Sequence, residues 1–278
     1  MGPSAIRIAR LEERLKALGH AVEDHGNVPA ADMSTASVGD PRARYLLDVV
    51  KQCGVISGLV SDCVTKRAFP LVLGGDQSTS IGTLAGLAKE TSRRGIIWVD
   101  AHGDFNTPRT SPSGNIHGMA LAAILGYGDR RLATLGGVSP MALEKNTVLI
   151  GGRSFDEMEA KAISKSKITV FTMRDIDEFG MKKVIHDAIG VAGAGVEDVH
   201  LSFDVDSMDP REAPGTGTPV NGGLTYREAH LAMEMISDSR RVTSAEFVEV
   251  NPILDTANHT AELAVELILS LFGKKIIE

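Results

Sequence analysis

Cysteine is nearly absent from this 278-residue sequence, which holds only Cys53 and Cys63. Two thiols cannot frame a disulfide scaffold, and with no histidine beside them they make a poor zinc site. They suit a reducing cytosol, so a cytoplasmic protein is expected. Basic charge in excess is also missing. Twenty-nine Lys and Arg against 36 Asp and Glu leave a net charge of −7, whereas nucleic acid and anionic membranes demand clustered Lys and Arg. No apolar run approaches the roughly 18 residues of a membrane span. The opening MGPSAIRIARLEERLKALGH reads as a charged amphipathic segment rather than a signal peptide, and Ile6 stands where a myristoylation motif needs Ser or Thr. No linker rich in Pro, Ser or charge divides the chain, and no internal repeat shows. One domain over residues 1–278, without nucleic-acid or membrane partners, is the expectation.

What the sequence has instead is 43% hydrophobic residues arranged in alternation. Apolar runs at 70–76, 94–100, 146–152, 168–173, 199–206 and 242–250 read as buried strands. Helical patterns fall between them at 79–90, 119–125, 156–164, 177–190, 225–237 and 260–272. Strands alternating with helices predict an α/β fold, a single-domain three-layer sandwich with a central parallel sheet flanked by helices. Polar stretches at 27–42, 105–116 and 207–223 read as loops, and the last two follow acidic strand ends, where open α/β sheets bind ligands.

Those strand ends carry the chemistry. They read Asp76-Gln77, Asp100-Ala101-His102-Gly103-Asp104, Asp204-Val205-Asp206 and Glu249. In an extended segment alternate side chains share a face, so Asp100, His102 and Asp104 should point together, as should Asp204 and Asp206. Each cluster taken alone could be a helix cap or a solvated turn. Taken together, four carboxylates and an imidazole cannot converge in a poorly solvated place without a cation. Such an oxygen-rich set favours Mn²⁺ or Mg²⁺. Two ions about 3.5–4 Å apart would use all the carboxylates and activate a bridging water.

GGDQSTSIGT, DAHGDFNTP, SPSGNIHGM, SFDVDSMDP and VEVNP resemble, in order, the signature blocks of the arginase family of ureohydrolases. The resemblance runs from MGPSAIR to SLFGKK. It implies a single α/β domain and two Mn²⁺ per subunit held by Asp100, His102, Asp104, Asp204 and Asp206, with Asp100 and Asp204 bridging. It further implies that a metal-bridging hydroxide attacks the guanidinium carbon of L-arginine, giving urea and L-ornithine. Catalytic roles fall to Asp104 as proton acceptor, His117 as proton shuttle and Glu249 as partner of the guanidinium. Asp156 matches the position near the α-ammonium of the substrate, Thr218 the threonine lining the pocket beside the metals, and Asn106, Ser113 and Asn115, in the loop 105–116, the positions that bind the carboxylate. That loop favours arginine over agmatine or a guanidino acid, the alternative substrates of ureohydrolases. The resemblance also implies a homotrimer or homohexamer, for which the apolar face of 261–272 could cover the core or a neighbour. His20, His25, His186, His200, His230 and His259 lie outside the blocks and read as surface or packing residues.

Two departures stand out. Gln77 occupies the place of the histidine in the family's GGDHS block, and a neutral amide oxygen is a weaker ligand than imidazole, so one ion should bind more weakly and activity should fall or need high Mn²⁺. The resemblance also implies that about twenty residues, including a first strand inside the sheet, would precede Met1.

Overall fold

Ile96-Ile97-Trp98-Val99 is apolar on both sides of its alternation, and a strand of that kind is stable only with both faces of its sheet covered. A computed structural model shows this arrangement and describes residues 1–32 and 35–277; part of the polar 27–42 stretch lies outside the described residues. Six strands, β1 (Leu71–Leu73), β2 (Arg94–Val99), β3 (Thr147–Gly152), β4 (Thr169–Thr172), β5 (Asp198–Asp204) and β6 (Val242–Val248), form one sheet in the order β1-β6-β5-β2-β3-β4. Every neighbouring pair is parallel. All six expected strands are present, most of them shorter than expected; the first is only Leu71–Leu73 and the sixth ends at Val248. The fifth stops at Asp204, and Val205–Ser207 turns into a short 3-10 helix, so Asp206 leaves the strand.

The helices are α1 (Gly2–Ile8), α2 (Leu11–Ala17), α3 (Leu46–Thr65), α4 (Thr79–Ala88), α5 (Ala120–Ile124), α6 (Arg130–Ala133), α7 (Glu157–Ile163), α8 (Met173–Phe179), α9 (Met181–Ala192), α10 (Tyr226–Ser239) and α11 (His259–Leu271). Helices α3, α4 and α5 cover the face that Ile96, Trp98 and Leu149 point into. Helices α1, α9, α10 and α11 cover the face of Ile97, Val99, Phe203 and Phe247, whose last two rings stack 5.2 Å apart across β5 and β6. The apolar side of α11 therefore covers the core of its own chain.

The expected helix 177–190 is two helices, because Gly180 adopts φ 79 and breaks the run. The twenty-residue α3 escaped the sequence reading altogether. Gly54 and Gly58 and several β-branched valines weaken its helical signal, and Cys53, Ile56 and Val60 are buried by packing on α4. Among the described residues no helix is long and apolar enough to cross a membrane.

Strand β1 is an edge strand. A groove of about 1010 Å³ separates it from segment 20–28, with Leu71, Val72 and Leu73 on one wall and Val22 and Val28 on another. Arg7 holds that segment through paired bonds to Asp24 of 2.6 and 2.8 Å.

Candidate metal and guanidine-binding site

Strands β1, β6, β5 and β2 are adjacent and parallel, so their carboxyl ends open together. Each carries polar groups there: Gln77 after β1, Glu249 after β6, Asp204 and Asp206 at the end of β5, and Asp100 after β2. Ligands bind outside the carboxyl ends of strands in open α/β sheets because the loops diverge there.

Three of the expected ligands meet closely. Atoms of Asp100, His102 and Asp206 lie within 4.8 Å of one another. His102 Nδ1 stands 3.0 Å from Asp206 Oδ2 and 3.5 Å from Asp100 Oδ1. The carboxylates are fixed from behind. Trp98 Nε1 donates to Asp100 Oδ2 at 3.0 Å and the backbone N–H of His102 to Asp100 Oδ1 at 2.7 Å. Thr218 donates to Asp206 Oδ2 at 2.9 Å and the N–H of Ala101 to its Oδ1 at 3.2 Å, while Asp204 Oδ1 accepts the N–H of Asp206 at 2.7 Å.

Asp104 and Asp204 are buried and stand outside that close trio, on the wall of the adjoining cavity. The chain does not stay extended as the alternation argument required. It ends β2 at Val99, and Asp104 takes φ 49, a left-handed conformation that costs a side-chain-bearing residue about 1 kcal/mol. The aspartates of DAHGD converge through a turn rather than through the pleat. Glu249 is likewise left-handed, at φ 64.

Electrostatics show what the donor set demands. Burial and the neighbouring Asp206 push Asp100 up to about 7. Burial with surrounding carboxylates pushes Asp104 and Asp204 up as well. Burial would also raise Asp206, but His102, Thr218 and the Ala101 N–H hold it down. Burial would lower His102, yet its contacts with Asp100 and Asp206 raise it to about 11. Without a cation, burial and mutual repulsion favour the protonated forms of Asp100, Asp104 and Asp204. Asp104 Oδ2, buried, accepts no hydrogen bond among the described residues. Excess buried carboxylate with an orphaned oxygen fits a divalent ion.

Beside the cluster lies a cavity of about 150 Å³. Its walls include His102, Asp104, Asn106, Ser113, His117, Asp156, Asp204, Asp206 and Thr218. Asn106 Nδ2 donates to Asp156 Oδ2 at 2.9 Å, tying the two expected substrate contacts together. His117 Nδ1 is 3.2 Å from Glu249 Oε1, which also accepts the backbone N–H of Gln77 at 2.8 Å. The bond to Glu249 raises His117; burial raises Glu249 against the pull of His117 and the Gln77 N–H. Asn115 does not line the cavity; its N–H donates to Ser113 Oγ at 3.2 Å. Asp76 is exposed and caps Ser78 through its N–H at 3.0 Å.

Sequence reasoning missed Glu159 and Arg153. Glu159 Oε1 accepts the N–H of Phe105 and its Oε2 that of Asp156, at 2.9 and 3.1 Å, which pins the 105–118 loop to the start of α7. The spacing Asp156…Glu159 is a capping-box signal that could have flagged it. Gly103 is required beside it, since a Cβ there would come within 2.8 Å of the Glu159 carboxyl carbon. Arg153 donates to the carbonyls of Gly151, Asp206, Ser207, Met208 and Val220 at 2.8–3.3 Å. No local pattern announces it. Of the histidines outside the blocks, His200 and His230 are buried packing residues bonded to Ser244 and Ser270, each at 2.9 Å.

A family model described as Arginase family matches residues 1–273. The chain is 51% identical over 278 residues to the arginase of Bacillus caldovelox, covering 100% of this chain and 93% of that protein. The solved native structure of that enzyme at pH 5.6 superposes with a TM-score of 0.97, again over 100% of this chain and 93% of its own. The Entamoeba histolytica arginase solved in complex with L-ornithine superposes at TM-score 0.87 and 31% identity, covering 98% and 91% of the two chains.

Proposed function

Because this chain belongs to the arginase family, we propose that it hydrolyses L-arginine to L-ornithine and urea with two manganese ions, held by Asp100, His102, Asp104, Asp204 and Asp206. The observation that carries this reading is the buried set of four carboxylates around His102, short of positive charge, opening into a cavity walled by Asn106, Ser113, Asp156 and Thr218. When bound, such ions neutralise the carboxylates and lower the pKa of water, making it nucleophilic near neutral pH.

The chain's own residues do the rest. Glu249, part-buried, accepts two hydrogen bonds on its Oε1 among the described residues and offers a carboxylate to orient the guanidinium by charged hydrogen bonds. Asp104 Oδ2, with no donor of its own, can accept a proton at that atom. His117 Nδ1 stands 3.2 Å from Glu249 Oε1, and its partly exposed ring can carry protons between the cavity and solvent. Asp156 suits the α-ammonium of an amino acid, while Asn106 and Ser113 suit its carboxylate, directly or through water. Agmatine has neither group and would leave these contacts unused. The neighbour solved with L-ornithine supports an amino-acid substrate.

Gln77 favours a second reading, the same reaction with catalysis impaired by a weaker second ion. The test is urea release from arginine and from agmatine by metal-stripped protein titrated with Mn²⁺. Arginine turnover should appear with Mn²⁺ and exceed agmatine turnover at least tenfold. No urea at millimolar Mn²⁺, or preference for agmatine, would refute the arginase reading.

A further inference from the structure

Gln77 is almost wholly buried, and both hydrogens of its side-chain amide are spent. Its Nε2 donates to Ser80 Oγ at 2.7 Å and to Ser202 Oγ at 2.9 Å. A serine hydroxyl can accept as well as donate, and Ser80 and Ser202 each offer the Gln77 amide nitrogen a lone pair. Nitrogen faces them, and Oε1 is turned the other way.

That oxygen has no hydrogen-bond partner among the described residues. A buried acceptor left empty costs about 1–3 kcal/mol. Asp104 Oδ2 and Asn106 Oδ1 are likewise orphaned in the site. Two features set Gln77 beside the acidic strand ends. Its own backbone N–H is bonded to Glu249, and Ser202 precedes Asp204 by two residues, so both side chains leave β5 on one face.

We propose that the carbonyl oxygen of Gln77 is a metal ligand, clamped by Ser80 and Ser202 so that oxygen rather than nitrogen is presented to the ion. This deepens the reading above and rests on it. Gln77 in place of histidine then changes the donor from nitrogen to neutral oxygen without vacating the position. Oxygen ligands suit Mn²⁺ better than the later divalent ions that imidazole favours. Ser80 and Ser202 are positioning residues, because they act on the ion through the amide.

The test is calorimetric titration of Mn²⁺ into the metal-stripped full chain, with bound metal counted by elemental analysis. The variants are Gln77→Leu, Gln77→His and Ser202→Ala. The wild type should show two binding events. Gln77→Leu should weaken one of them at least tenfold and leave the other within twofold. Gln77→His should tighten that same event and raise the ratio of Zn²⁺ to Mn²⁺ affinity. Ser202→Ala, the milder change, should weaken it several-fold because the amide is freed to turn. Circular dichroism confirms that each variant is folded, and Ser202→Ala carries the test if Gln77→Leu is not. Unchanged Mn²⁺ affinities in Gln77→Leu, or in Ser202→Ala, overturn the proposal while leaving the arginase reading intact. A wild type that binds no divalent ion overturns both.

Discussion

Replacing Arg153 by alanine probes the least obvious support of the site. Its guanidinium sits at the centre of a fan of five carbonyls, from Gly151, Asp206, Ser207, Met208 and Val220, with donor distances of 2.8–3.3 Å. Three of those carbonyls belong to the turn that follows Asp204 and carries Asp206. A hydrogen bond from a charged donor contributes about 1.5–3 kcal/mol when isolated, but five cannot simply be added, because they share two nitrogens and the loss of one group admits water. The two shortest bonds, at 2.8 Å, set the scale at about 3–4 kcal/mol. For a chain of 278 residues that corresponds to a fall in Tm of about 5–7 °C. Arg153→Lys should recover less than half of the loss, since one ammonium with three donors cannot reach five carbonyls spread in a plane. Thermal unfolding followed by circular dichroism, with and without Mn²⁺, is the assay. Manganese should protect the variant less than the wild type, because the turn that presents Asp206 is loosened. A Tm shift below 2 °C for Arg153→Ala, or full rescue by lysine, would refute the argument that this fan holds the acidic turn.

Glu249→Gln should lower kcat/KM for arginine by about 100-fold with the fold intact, because the neutral amide loses a charged hydrogen bond worth roughly 1.5–3 kcal/mol; steady-state kinetics at saturating Mn²⁺ checks it, and a change below threefold counts against Glu249 as the guanidinium partner. Gly95→Ala should destabilise by about 1–3 kcal/mol or more, since a Cβ there would lie 2.0 Å from the Ala192 carbonyl oxygen where β2 meets the end of α9; urea unfolding reads it. Asp24 is held down to about 2, mainly by its bond to Arg7. A carboxyl lowered below its unfolded value stabilises above about pH 4, and that contribution is lost as pH falls toward 2. The pair is one-third exposed, so Asp24→Asn should cost only about 0.5–1 kcal/mol at pH 7 and little at pH 2.5, as denaturant midpoints at the two pH values would show.

Much of the site was legible because its residues follow apolar runs. Asp100 after Ile96–Val99, Asp204 after Leu201–Phe203 and Glu249 after Phe247–Val248 announce themselves as polar ends of buried strands. Their convergence follows only partly from strand alternation. Period-two alternation does place Ser202 and Asp204 on one face of β5, but Asp104 and Asp206 reach the site through a left-handed turn and a 3-10 turn, which no alternation rule contains. Helix α3 stayed hidden because its glycines and valines argue against a helix until α4 is there to bury them. Glu159 and Arg153 stayed hidden because their partners, Phe105 and Asp206, stand more than fifty residues away along the chain.

The sequence by itself determined the six strands, the parallel sheet, the acidic strand ends and the family, because hydrophobic periodicity and contiguous motifs are local properties of a chain. Tertiary structure alone decided which oxygens are left without donors, which way the Gln77 amide faces, and that Asn115 stands outside the cavity wall while Glu159 and Arg153 brace it. Those are questions of where a proton or an empty lone pair ends up, and the answer depends on groups that only folding brings within three ångströms of one another.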